Sequence, residues 1–256
     1  MRDRDTDDPV APADAWEQVV PAVVDGWLFP PDVALPPSLV IPLENPHLHD
    51  AARWRSVFGA PLAECGVIDL HSTANGDRVG VAKPVMGAPA VALLVDAATR
   101  RGVDWIVGVG FCGGTSKHLR SGDLVVATAA LCRDGVSAAY LSAADVPDSD
   151  EAPASRELLA LVPRDTRCGR VCSVAAVHLE DQRLIDECEA RGVLGVDLET
   201  ATVLAVAAVR QAQALTCLVV SDVPARGEPA DVEALPAAEA RALTLALSLA
   251  TARPGC

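Results

Sequence analysis

The chain has 256 residues, of which 50% are hydrophobic, and a formal net charge of -14 at pH 7. This length suits one large α/β domain with a sizeable core. The negative charge argues against a nucleic acid or an anionic membrane surface as a partner, and no apolar run reaches the roughly 20 residues of a membrane span.

The first 37 residues are rich in Asp, Pro and Ala, and we expect a partly ordered arm before a single domain over residues 38–256. The apolar spacing from Trp16 to Trp27 is compatible with a short amphipathic helix in this arm. The start lacks the apolar core of a secretory signal, so we expect a cytoplasmic protein. In that compartment the eight cysteines, which include no CxxC pair, are expected to be buried thiols rather than metal ligands.

Strand patterns alternate with helical patterns along the rest of the chain. Strands are predicted at Leu39–Leu43, Gly80–Val85, Trp105–Val109, Asp123–Ala130 and Gly169–Val177, with a hairpin turn at Asn75-Gly76-Asp77. Helices are predicted at Gly87–Arg101, Arg156–Leu161, Glu180–Arg191 and Ala237–Ala250. Residues 110–116 and 133–140 are predicted as loops, and residues 142–155 as a disordered linker. This alternation predicts an α/β fold of three layers, αβα, with a central mixed sheet.

The segment Gly192–Asp222 has the most informative pattern. An apolar run ends in Asp197 and Glu199, a helical pattern follows, and a β-branched run then ends in Ser221 and Asp222. We expect a right-handed strand–helix–strand crossover that places Glu199 and Asp222 near neighbouring strand ends, where open α/β folds keep their sites. A second interpretation stays open, because an acid after a strand is often only the N-cap of the next helix.

Three motifs resemble the signatures of the nucleoside phosphorylase and nucleosidase superfamily. They are Val196-Asp197-Leu198-Glu199 with Ser221-Asp222, the glycine-rich segment Gly110–Gly114 before Gly122-Asp123-Leu124-Val125, and Met86-Gly87-Ala88-Pro89. The resemblance extends from about Leu39 to Ala250. It implies a small nucleoside-like substrate, no cofactor, no metal, and a homo-oligomer that is a dimer or a trimer of dimers.

The resemblance also implies roles for individual side chains. Glu199 would accept hydrogen bonds from the ribose 2' and 3' hydroxyls, Leu198 would pack on the sugar, and Asp222 would protonate the leaving base. Further substrate contacts are expected from the glycine-rich segment and from the base-binding segment, namely Phe111, Cys112, Gly113, Val177, His178 and Arg183.

The positions that bind phosphate in the family's phosphorylases are altered in this sequence. An Arg, a Ser or Thr and a Gly-Asp-Pro-x-Arg segment are expected there, and this chain has Gly108, Phe111 and Glu44-Asn45-Pro46-His47-Leu48. Because a dianion needs charge-assisted donors, phosphate binding is disfavoured.

We therefore expect a nucleosidase that hydrolyses an N-glycosidic bond, with His49, or else Asp50 or Glu44, activating the water. Two alternatives are kept: a purine or uridine type phosphorylase with a remodelled phosphate site, and a family fold repurposed for another biosynthetic reaction or for ligand binding only.

Overall fold

The computed structural model describes residues 22–73, 76–144 and 150–253. Most of the predicted arm, Asn75 of the predicted turn and residues 145–149 of the predicted linker lie outside the described residues. Of the arm, residues 22–28 form a helix, α1. Phe29 is buried after it, and Asp25 pairs with Arg100 at 2.6 Å. The described end of the arm therefore packs on the domain, and the division at residue 37 stays a prediction.

The strands and helices of the described chain follow one another in an α/β order. The strands are β1 (Ser38–Leu43), β2 (Ala63–Cys65), β3 (Ile68–Ser72), β4 (Arg78–Ala82), β5 (Trp105–Gly114), β6 (Leu124–Arg133), β7 (Glu151–Pro153), β8 (Arg167–Val174), β9 (Val193–Asp197) and β10 (Gln213–Asp222). The helices after α1 are α2 (Ala51–Phe58), α3 (Ala88–Arg100), α4 (Ser137–Ala143), α5 (Arg156–Leu161), α6 (Gln182–Ala190), α7 (Thr200–Val209) and α8 (Leu235–Thr251). None of the helices in these described ranges is long and apolar enough to cross a membrane.

All the strands belong to one mixed sheet, which confirms the predicted α/β fold with a central mixed sheet. The order along the sheet is β10-β6-β8-β9-β5-β1-β4-β3-β2, and β7 pairs with β6. β10 also pairs with β5, so β5, β9, β8, β6 and β10 close on themselves. The helix α7 is buried from Thr200 to Ala207 and packs against several of these strands, because its surface there is rich in Ala and Val.

Most predicted elements are present, and the predicted hairpin is formed by β3 and β4, which pair antiparallel. Three local predictions are wrong. The glycine-rich stretch 110–114 is the end of β5 rather than a loop, residues 137–143 form α4, and residues 151–153 form β7.

The predicted crossover is also wrong in its strand pairing. β9 runs antiparallel to β5, whereas β10 runs parallel to β5, so β9 and β10 lie on the two sides of β5 and do not form a parallel unit. The physical reason lies at the end of β5, where β1 has already ended at Leu43 and β9 pairs with Gly113 and Gly114 instead. β9 can lie this close because residue 195 is glycine: an added Cβ atom there would lie 2.7 Å from Cys112 Sγ.

Candidate active site

A cavity of about 510 Å³ opens where β1, β5, β9 and β10 end. Its lining also includes the segment 177–180, one side chain of α2 and the start of α8. This volume lies in the range of pockets that enclose a small molecule. Ligand sites in α/β folds form at such strand ends.

The two strands that carry the acids, β9 and β10, both pair with β5 at Gly113. Val196 of β9 and Asp222 of β10 each lie opposite Gly113 in the strand pairing. A Cβ atom at Gly113 would lie 3.9 Å from Asp222 Oδ1. The two strand ends therefore reach one cavity, although they do so through β5 and not through the predicted crossover.

Glu199 precedes α7 at the N-cap position, but its carboxylate does not cap the helix. Its Oε1 atom instead accepts a hydrogen bond of 2.7 Å from the backbone N–H of Gly87, and the residue is only 5% exposed. Burial, followed by the charge of Asp197, raises the pKa of Glu199 to about 8. A buried carboxylate that lines a cavity and lacks a cation partner favours a ligand that donates hydrogen bonds.

Asp197 has a structural role: it caps the next helix, which was the second interpretation of the acids at the strand ends. Its carboxylate accepts hydrogen bonds from the Thr200 backbone N–H at 2.9 Å, from the Thr200 hydroxyl and from the Ser173 hydroxyl. It therefore caps α7 and joins β9 to β8. Burial raises the pKa of Asp197, and these hydrogen bonds act in the opposite direction.

Asp222 ends β10 and lines the same cavity. Its Oδ1 atom accepts a hydrogen bond of 2.5 Å from the Ser221 hydroxyl, which also lies 3.2 Å from the carbonyl oxygen of Cys112. Ser221 thus orients the carboxyl group and leaves it open to the cavity. No helix starts directly at Asp222, so a capping role does not account for it.

The first loop brings Glu44, rather than His49, to the main cavity. His49 lines an adjacent cavity of about 170 Å³, and its Nδ1 atom contacts Glu44 Oε1 at 2.7 Å. The His49 ring also lies 5.5 Å from that of Trp54, with the two planes tilted. Asp50 caps α2, since it accepts hydrogen bonds from the backbone N–H groups of Ala52 and Arg53.

Only some of the other side chains predicted to contact substrate line the cavity. Leu198, Phe111, Cys112, Gly113 and Val177 line the cavity, whereas His178 and Arg183 do not. Cys112 is fully buried, and burial together with the charge of Asp197 raises the pKa of its thiol. The thiol therefore stays protonated and is a contact group rather than a nucleophile.

Three charged groups of the cavity were missed by sequence reasoning. Arg53 of α2 is ion-paired with Glu239 of α8, whose Oε1 atom also accepts a hydrogen bond of 3.2 Å from Trp54 Nε1. These residues are 186 positions apart, so no local pattern indicates the pair. Glu180 also lines the cavity, although its position beside a helix start made it resemble an ordinary surface acid.

The altered phosphate positions gain no compensating side chain in the described part of the chain. Glu44 and Phe111 line the cavity, and Leu48 lines it while being 78% exposed. Gly108 is enclosed, because an added Cβ atom would lie 2.7 Å from Leu43 Cδ1 and 2.8 Å from Thr216 Cγ2. Within the described ranges, no three His, Cys, Asp or Glu side chains form a group suited to a metal ion.

The mixed sheet and its carboxylate-lined cavity define an α/β protein with a small-molecule site. Residues 68–252 match the family model described as the phosphorylase superfamily. The chain therefore belongs to the nucleoside phosphorylase superfamily, which confirms the resemblance seen in its motifs.

Two curated relatives and one solved structure illustrate the similarity. The DeoD-type purine nucleoside phosphorylase of Xenorhabdus nematophila is 28% identical over 172 residues, which are 66% of this chain and 72% of the relative. The DeoD-type 2 purine nucleoside phosphorylase of Photobacterium profundum is 30% identical over 166 residues, covering 63% and 70% respectively. The crystal structure of uridine phosphorylase from Vibrio fischeri ES114 with 6-hydroxy-1-naphthoic acid matches with a TM-score of 0.72 at 23% identity, over 86% of this chain and 93% of that one. This last match confirms the fold.

Proposed function

We propose that this protein cleaves the N-glycosidic bond of a nucleoside-like small molecule by hydrolysis. One observation carries the proposal: Glu44, Glu199 and Asp222 line one cavity in which the described residues offer a phosphate dianion no free cation. Within the described chain, Arg53 is the only Lys or Arg that lines this cavity, and it is paired with Glu239 and with Asp50 at 2.9 Å. An anionic nucleophile is therefore disfavoured, whereas neutral water is not.

Glu199 acts on the sugar in this proposal. In its ionised form, which prevails above the pKa of about 8, its carboxylate accepts hydrogen bonds from ribose hydroxyls, and the N–H of Gly87 fixes its orientation. As the C–N bond breaks, the sugar acquires oxocarbenium character and becomes positive. A carboxylate in a poorly solvated site stabilises that charge more in the transition state than in the bound substrate.

In the proposed reaction, Asp222 donates one proton and Glu44 accepts another. Asp222 donates a proton to a ring nitrogen of the base, which leaves with the electron pair of the broken C–N bond. Water then bonds to the anomeric carbon and loses a proton to Glu44, so that the products are free base and ribose. His49 contacts Glu44 from the neighbouring cavity and is a positioning residue.

The comparisons favour the phosphorylase alternative over hydrolysis, since both curated relatives are named purine nucleoside phosphorylases. In that second candidate function, phosphate would need a cation outside the lining just described, for example from another subunit of the expected homo-oligomer. The substrate would be cleaved to base and ribose 1-phosphate. A nucleoside panel with and without phosphate separates the two functions.

We expect base release from at least one nucleoside of that panel in phosphate-free buffer, with a rate that added phosphate does not change. The sugar product is expected to be ribose, and in water enriched in oxygen-18 one heavy oxygen should appear at its anomeric carbon. Chromatography and mass spectrometry measure both. Release that needs phosphate and yields ribose 1-phosphate contradicts hydrolysis and supports the phosphorylase, whereas no release from any nucleoside points to a repurposed fold.

Glu44→Gln is expected to lower kcat for hydrolysis by about 100-fold, because a general base contributes a factor of this order. His49→Asn should lower kcat less, since His49 acts through Glu44. Steady-state rates of the two variants, measured with circular dichroism to check folding, test this order. If kcat falls more in His49→Asn than in Glu44→Gln, His49 is the base, as predicted from the sequence.

A further inference from the structure

The cavity is strongly acidic for a site that belongs to the phosphorylase superfamily. Six carboxyl groups line it: Glu44, Glu180, Asp197, Glu199, Asp222 and Glu239. In the described chain, the single guanidinium among the lining residues is that of Arg53, which Glu239 and Asp50 already neutralise. The space left for a ligand is therefore lined by more carboxyl groups than cations.

Five of these carboxyl groups have protein partners. Asp197 accepts from Ser173 and Thr200, Glu199 from Gly87, Asp222 from Ser221, Glu44 contacts His49, and Glu239 contacts Arg53 and Trp54. Glu180 differs, because its half-buried side chain makes no hydrogen bond or ion pair with any residue in the described ranges. It is thus a lining carboxyl group for which the described residues supply no partner.

Among the described residues, no free cation lies beside Glu180 in the cavity lining. Burial, followed by the charges of Asp222 and Asp197, raises the pKa of Glu180 to about 7. The other ionisable groups that line the cavity at these strand ends are Asp222 of β10, Asp197 of β9, Glu199 before α7 and Cys112 of β5. The 3-10 turn Pro224–Arg226, which packs on α6, presents Arg226, but this guanidinium is paired with Glu228.

The apolar part of the cavity is compatible with a positively charged ligand. Phe111 provides an aromatic ring in the lining, and Val177, beside Glu180, provides no ring. An aromatic ring stacks on a neutral base and also attracts a cation, and desolvation within a cavity strengthens that attraction. The Phe111 ring is therefore compatible with a charged base, and Glu180 is the group that favours a positive charge.

We propose that the cavity selects nucleosides whose base carries a positive charge, and that Glu180 is the carboxylate that recognises this charge. The inference rests on the proposed function, since it places the base of the substrate at the end of the cavity that holds Asp222. A base that is already cationic takes the electron pair of the broken C–N bond and leaves as a neutral molecule, so cleavage of such a nucleoside needs no proton from Asp222. Anionic nucleosides, such as those with a phosphate or a carboxylated base, are excluded by the same charges.

The proposal is tested by titration calorimetry with 1-methyladenosine, which is positively charged at neutral pH, and adenosine, its neutral counterpart. Wild-type protein is expected to bind the cation about tenfold more tightly near pH 8, the effect of one additional charge contact. Near pH 6 the preference should be smaller, because Glu180 is then mostly protonated, and binding of the cation should release protons. Glu180→Gln should lose most of the preference.

Glu187→Gln is the matched control, because Glu187 lies on α6, pairs with Arg133 and does not line the cavity. It should keep the wild-type preference. Equal affinity for the two nucleosides in the wild type, no binding of 1-methyladenosine, or an unchanged preference in Glu180→Gln overturns the proposal. Base release recorded in the same samples tests the proposed function separately: charge selectivity without cleavage contradicts hydrolysis alone, and cleavage without charge selectivity contradicts this inference alone.

Discussion

Glu199→Gln is expected to abolish most base release and, at the same time, to stabilise the unliganded protein at alkaline pH. The loss of activity follows because a neutral amide accepts ribose hydroxyls more weakly and cannot stabilise a positive sugar. Hydrogen bonds to a charged acceptor contribute about 1.5–3 kcal/mol each, so the loss of two corresponds to about 10²- to 10⁴-fold in kcat/KM. Steady-state rates above about pH 8, where Glu199 of the wild type is ionised, measure this effect on any nucleoside that the wild type cleaves.

The gain in stability follows from the sign of the pKa change. The pKa of Glu199 is raised from 4.5 to about 8, so between these values the folded protein holds a proton that the unfolded chain has lost. The free energy of unfolding therefore falls as pH rises through this window. Glutamine carries no charge and avoids this loss, so above about pH 8 the variant should be more stable by roughly 2–4 kcal/mol.

Denaturant unfolding of both proteins near pH 5 and near pH 9 measures the difference, which should be small at the lower pH. Asp197→Asn is the matched control at the neighbouring acid. It should destabilise the protein, because the Asp197 carboxylate receives hydrogen bonds from Ser173 and Thr200. Equal stability of Glu199→Gln and wild type near pH 9 would show that the Glu199 charge is not held in a poorly solvated place.

Asp222→Asn is expected to lower kcat by about 10³-fold with little change in KM, because the amide keeps the contact with Ser221 but has no acidic proton to donate. The decisive measurement compares two leaving groups. A nucleoside base needs a proton to depart, whereas the p-nitrophenolate of p-nitrophenyl riboside does not. The variant should therefore lose activity on the nucleoside and retain most of it on the phenyl riboside.

A similar loss on both substrates would mean that Asp222 maintains the shape of the cavity rather than supplying a proton. Glu228→Gln is a suitable control for the same region, since Glu228 pairs with Arg226 and is absent from the cavity lining. It should behave like the wild type with either leaving group.

Sequence reasoning was most successful where the relevant information is local or carried by a motif. Hydrophobic periodicity located most strands and helices, and the motif ending in Glu199 and Ser221-Asp222 indicated both the superfamily and two acids of the cavity. It was least successful in the glycine-rich stretch 110–114, because glycines usually mark turns. Here they allow other strands to approach β5: at Gly110, an added Cβ atom would lie 2.6 Å from the carbonyl oxygen of Leu43 in β1.

The charged groups of the cavity were harder to predict, because the packing of elements distant in sequence brings them together. The pair of Arg53 with Glu239 depends on how α2 and α8 pack, and nothing near either residue in sequence specifies it. His49 and Glu44 are close in sequence, but which of them enters the cavity depends on the direction in which the first loop leaves β1. Glu180 has no local signal, because its environment is created by strand ends distant in sequence.

The crowding around Gly108 bears on how this site can change during evolution. An arginine at position 108 would first require smaller side chains at Leu43 and Thr216, and neither change brings a benefit by itself. Freeing Arg53 for an anion would require the loss of Glu239, which leaves a partly buried cation without its partner. Each of these single substitutions toward a cation for phosphate is thus opposed by stability. If the proposed hydrolysis holds, such a site accommodates a new leaving group more readily than a phosphate nucleophile.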